Sequence, residues 1–148
     1  MTRRSSVAFE RWATAHADIV EPHPHQSVDA HRKLALAQLN LVRASRDLDQ
    51  HDPDRALIAA ETAIVNAADA VLAHAGYRIR GKTGSHKVRF DFPGLPAEFA
   101  AHVGRLRDAR WSRNHAMYDS AGSVSDQLAR EILEVAAELV GAVVAVIE

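Results

Sequence analysis

The chain has 148 residues, 47% hydrophobic and 25% charged, with 18 Lys and Arg against 19 Asp and Glu and no cysteine. Those proportions exclude disordered, collagen-like and mucin-like classes, and the lack of Cys excludes disulfides, thiolate zinc sites and a cysteine nucleophile. The formal net charge of -1 excludes a uniformly basic protein but hides a division: nine basic against three acidic residues between Arg78 and Arg113 give that segment +6, leaving -7 for the rest.

Alanine, at 28 residues, and aromatics at only 5% favour closely packed helices over sheets. The predicted architecture is all-α: an up-down bundle of four to five helices, one domain overall, with 1–26 an N-terminal helix and Pro/His linker and 27–148 the bundle. Arg3 and Arg4 are not followed by the apolar run of a signal peptide, and the longest apolar run, Val140 to Ile147, is far short of the ~20 residues that cross a bilayer. A cytoplasmic protein without membrane contact is therefore expected.

In chain order, a short helix is predicted around Ser6 to Ile19, followed by the linker EPHPHQ. From Ser27, a fair N-cap, to Asp49 apolar residues recur at three- and four-residue spacings. Asp52-Pro53, an N-cap followed by Pro at the first helical position, opens an Ala-rich helix that stops at Gly76. Arg78 to Pro96 reads as a long ordered loop, with one extended arm over the alternating Val88-Arg89-Phe90-Asp91-Phe92. Pro96 begins a third long helix ending near Ser120 to Gly122. A final helix starts at Ser123 or Ser125, with Leu128, Ile132, Val135 and Leu139 on one face.

Gly76 to Thr83 matches G-x-x-x-x-G-K-[ST], the phosphate-cradling P-loop pattern. That loop needs a buried strand before it and a helix after it, whereas here it follows a helix, so nucleotide binding is the third and weakest option. As a basic arm the same region offers Arg78, Arg80, Lys82, Lys87 and Arg89 to a nucleic-acid backbone; the alternative is a solvated loop. The nine histidines show no i,i+4 pair on a predicted helix, so no metal and no cofactor is expected.

Near the end of the third long helix stands Arg110-Trp111-Ser112-Arg113-Asn114-His115-Ala116-Met117-Tyr118-Asp119. At about 100° per residue, Arg110, Asn114 and Tyr118 form an i, i+4, i+8 stripe with Arg113 beside it. Two guanidinia, an amide and a titratable neighbour on one face can hold a phosphodiester. The alternative is that Arg110 and Arg113 pair with acids of neighbouring helices, such as Glu61 or Asp69.

A small helical bundle with an Arg-polar-x-x-x-His signature late in its third long helix resembles the HEPN domains, over about Ser27 to Ile147. Two registers fit. Arg110 with His115 has the family's spacing, but Trp111 stands at the polar position. Arg113-Asn114 has the family's pair, but Tyr118 stands where His belongs, as in a divergent branch. The resemblance implies a metal-independent endoribonuclease of toxin-antitoxin or phage-defence type, with His as acid/base for attack of a ribose 2′-hydroxyl on its phosphate, or an inactive RNA-binding relative. Arg110, Arg113, Asn114, His115 and Tyr118 are its candidate site residues. It also implies a homodimer, which the apolar end of the last helix, Leu139-Val140, Val143-Val144 and Val146-Ile147, suggests independently. The rival reading is a non-catalytic module whose basic surface meets an acidic, antitoxin-like partner or another subunit.

Overall fold

A computed structural model describes residues 3–23, 26–118, 122 and 124–148, and the side chains of 3–5, 26 and 116–118 lie outside the description. The described elements are α1 (Arg3–Ala15), β1 (Val20–Pro22), α2 (Gln26–Asp49), α3 (Pro53–Ala75), β2 (Tyr77–Ile79), α4 (Ser85–Phe90), α5 (Ala97–Ala101), α6 (Val103–Tyr118) and α7 (Asp126–Ile147). The protein is mostly helical, as composition implied.

The central element is α3, which packs against α2, α7 and α6. Its caps are chemically explicit. Asp52 accepts a hydrogen bond from the Arg55 backbone N–H at 3.2 Å, Pro53 occupies the first turn, and Gly76 ends the helix in the left-handed region at φ 97°. Alanines 56, 60, 63, 67, 68 and 70 are fully buried, so the neighbouring helices approach the α3 backbone closely. At 23 residues α3 is long and apolar enough to cross a membrane, but 72% of its most apolar window is buried by its own chain, which identifies a core helix. Ser125 caps α7, its Oγ accepting from the Leu128 N–H at 3.1 Å. At the entry to that helix Asp54 accepts from the N–H groups of Gly122 at 2.5 Å and Val124 at 3.1 Å.

The structure corrects several expectations. The start of the linker is a strand: β1 pairs antiparallel with β2, Val20 opposite Ile79 and Pro22 opposite Tyr77. Within the linker, Pro24 and His25 lie outside the described residues. The extended arm is instead the helix α4, because Val88 and Phe92, both buried, are also an i,i+4 pair that one helical turn brings to the core. Helix α2 begins before Ser27, which is therefore inside the helix rather than its cap. The third long helix is interrupted at His102 (φ -110°, ψ 16°), whose imidazole pairs with Glu138 of α7 at 2.6 Å. The P-loop match fails in detail: Gly76 caps α3, and the strand lies inside the motif instead of before it.

An aromatic cluster fastens α1 to this frame. Phe92 lies 4.8 Å from Phe9 and 4.7 Å from Trp12, centroid to centroid, and the Trp12 indole N–H donates to the Val88 carbonyl at 3.1 Å. Gly94 passes so close that a Cβ there would sit 2.5 Å from the Phe92 ring and 2.7 Å from that of Phe9. Residues 3–15 thus belong to the core's perimeter rather than to a detached N-terminal helix. In α7, Leu139, Val140 and Val143 are buried by their own chain, Val144 and Ile147 are half-buried, and Val146 is 45% exposed.

Candidate functional site

Among the acids of α3, Glu61 stands out, since a carboxylate with 3% exposure lies in the midst of buried alanines and Ile64. Burial costs a charge several kcal/mol unless partners compensate. Three groups converge on it. Arg113 Nε lies 3.1 Å from Oε2, Arg110 Nη1 3.5 Å from Oε1, and His86 Nε2 of α4 3.6 Å from the same Oε1. Two helical turns along α3, Arg89 Nε donates to Asp69 Oδ1 at 2.7 Å.

The electrostatics of the cluster are internally opposed. Burial pushes the Glu61 carboxyl above its usual range even against the guanidinia of Arg113, Arg110 and Arg89. Burial, followed by the charges of Arg110, Arg89 and Arg113, holds the His86 imidazole at about 4, so it is neutral near pH 7. Glu61 Oε1 and Arg113 Nε are both buried, and the ion-pair contacts of the cluster, 3.1 to 3.6 Å long, hold them. With Arg110 still 38% and His86 26% exposed at the side chain, the cluster has an opening to solvent and more cationic than anionic groups.

The predicted site is therefore divided. Leu106, Ala109 and Ser112 are the buried face of α6, and Arg113 lies beside that face, against Glu61. Asn114 lies 100° further round and is exposed. His115 is on the same outer side, stacked on Trp111 with ring centroids 4.4 Å apart and planes at 17°. Arg110, at the boundary, is the member shared by both sides. Arg110 and Arg113 are drawn toward the one buried carboxylate, while Asn114 and His115 lie on the outer side of the helix. Tyr118 ends α6, and its side chain lies outside the described residues. The alternative pairing with Glu61 is the geometry found, whereas Asp69 takes Arg89 instead.

The basic arm is also largely neutralised. Arg78 and Arg80 both pair with Glu21 across the β1–β2 sheet, and their hydrogen bonds hold its carboxyl below the usual range. Lys87 pairs with Asp91 at 2.6 Å and Arg89 with Asp69, and among the described residues Lys82 has no ion pair. Sequence reasoning missed His86 as a site residue, because nothing in GYRIRGKTGSHKVR marks the turn that carries it to Glu61. A carboxylate in the middle of an alanine-rich apolar helix was the available signal for Glu61 itself.

Among the described residues no group of three or more His, Asp or Glu is placed to hold a metal ion. No protein-family model matches the chain, and no curated protein or solved structure is similar to it.

Proposed function

We propose that the protein is an RNA-directed helical protein of the HEPN type, acting as a metal-independent endoribonuclease of a toxin-antitoxin or phage-defence system. The observation that carries this reading is the convergence of Arg110, Arg113 and His86 on one buried carboxylate, at an opening where Arg110 and His86 stay part-exposed. A bound phosphodiester offers its oxygens to the guanidinia, in the bidentate manner that Arg suits. In the reaction, the ribose 2′-oxygen forms a bond to phosphorus as its proton passes to the neutral His86 imidazole. The P–O5′ bond breaks, and the leaving oxygen takes a proton from solvent water while His86 returns its own to solvent, giving a 2′,3′-cyclic phosphate and a 5′-hydroxyl. The negative phosphate beside His86 raises its proton affinity from the low resting value, the direction a base requires. In this reading His86 takes the acid/base place assigned from sequence to His115 or Tyr118. The test is purified protein with mixed RNA in EDTA. Cleavage that disappears in a folded Arg113→Ala variant supports the reading, and intact RNA at high protein concentration refutes it.

A second reading, a non-catalytic module that dimerises or docks an antitoxin-like protein, has its own observation. On α2, Val28 (63% exposed), Leu39 (43%) and Val42 (65%) form one outward stripe, with Leu36 (39%) beside it. This stripe, rather than the end of α7, is the surface such a partner would cover, and the molecular mass in solution tests self-association through it. The cytoplasmic setting remains part of both readings.

A further inference from the structure

Trp111 occupies the position at which the motif calls for a polar residue, and it lies outside the core: the residue is 64% exposed, in contrast to Trp12 at 7%. One face is covered by the His115 imidazole at 4.4 Å, so the exposed surface is the other face and the edge. Around it on the outer side of α6 lie Arg107 and Asn114, at i-4 and i+3, both exposed. Helix α6 carries four arginines against one acid, Asp108. An open indole face, pre-stacked and next to guanidinia, has the chemistry of a nucleobase platform: every base offers a π-face, and the neighbouring cations hold its phosphates.

We propose that the Trp111–His115 stack receives an unpaired base of single-stranded RNA on the outer side of α6, one residue along from the boundary residue Arg110. This rests on the RNA-directed reading and adds to it a substrate class, unpaired rather than duplex RNA, since a base within a duplex has no free face to offer. The exposed Arg107 at i-4 of the ring favours an RNA occupant over a protein one, because an aromatic face beside a solvent-facing guanidinium fits a polyanion with rings.

The experiment measures binding of a single-stranded RNA of about ten nucleotides, of an abasic ribose-phosphate strand of equal length, and of the RNA duplex, by the wild type and by Trp111→Ala and Trp111→Phe. Trp111→Ala is expected to weaken binding of the single strand about 5- to 150-fold, to leave the abasic strand unchanged, and to be largely rescued in Trp111→Phe. Because the protein has two tryptophans, the difference in emission between the wild type and Trp111→Ala belongs to Trp111. It should be quenched by the single-stranded RNA and not by the duplex or the abasic strand. Equal weakening for RNA and abasic strands, or no change for either, overturns the stacking role while leaving the phosphate site standing. Failure of the wild type to bind any strand at low salt overturns both. Trp111 emission that shifts to the blue with protein concentration alone assigns the ring to a protein interface and overturns the proposal.

Discussion

Acid stability offers a sharp test of the cluster around Glu61. The His86 imidazole is held at about 4 in the folded protein, against 6.5 ordinarily, by burial and by Arg110, Arg89 and Arg113. An unfolded chain therefore binds a proton at His86 that the folded chain refuses, and the contribution of the neutral imidazole is lost as pH falls from 6.5 through about 4. At 1.36 kcal/mol per pH unit the limiting loss is about 3 kcal/mol, against a total stability of about 5–15 kcal/mol for a domain. Glu61 acts in the opposite sense: with its affinity for protons raised by burial, it favours the folded state as pH falls through and above the usual carboxyl range. His86→Gln keeps a polar side chain of similar reach but does not titrate there, while Glu61 and the other eight histidines remain. Urea denaturation at pH 7, 5.5 and 4.5 should show the wild type losing stability relative to His86→Gln by up to about 3 kcal/mol at the acid end. A difference that stays constant with pH would refute the burial of a neutral His86 against the three arginines.

Glu61→Ala removes the one acid between Arg110 and Arg113. Breaking a buried pair costs about 3–5 kcal/mol, reduced here by the exposure of Arg110 to about 2–3 kcal/mol, which thermal melting should register as a drop of roughly 4–12 °C; an unchanged Tm would mean that the ion cluster is not formed. Gly94→Ala forces a methyl against the rings of Phe9 and Phe92, and should cost about 1–3 kcal/mol with altered near-ultraviolet dichroism from the Trp12 cluster, whereas a neutral substitution would place α1 elsewhere.

The parts of the fold that could be read from the sequence are those fixed by local chemistry. Asp52-Pro53, Gly76 and Ser125 state the ends of α3 and the start of α7 through cap geometry that involves only residues within four of each terminus. The β1–β2 sheet could not be read, because each strand has three residues and their pairing spans the whole of α2 and α3. The Val88–Phe92 stretch fits alternation and helical i,i+4 spacing equally over five residues, and tertiary packing of Val88 and Phe92 decides for the helix. For the site, spacing alone identified Arg110 and Arg113. Their direction depends on Glu61, almost fifty positions earlier, and His86 reaches that carboxylate only through the turn at Gly84, which holds φ at 85°. The charge split between Arg78 and Arg113 overstated the free positive surface, since six of those nine side chains meet acids from the rest of the chain.

The central claim is that Arg110 and Arg113 bind an RNA phosphate, and the salt dependence of affinity for single-stranded RNA, compared between the wild type and folded Arg113→Ala, tests it most directly. Each phosphate contact on a single strand contributes roughly 0.7 to the slope of log K against log salt. The expected result is a steep fall of wild-type affinity with salt and a slope shallower by roughly 0.7 in Arg113→Ala. Identical slopes for the two proteins, or wild-type binding insensitive to salt, would contradict it.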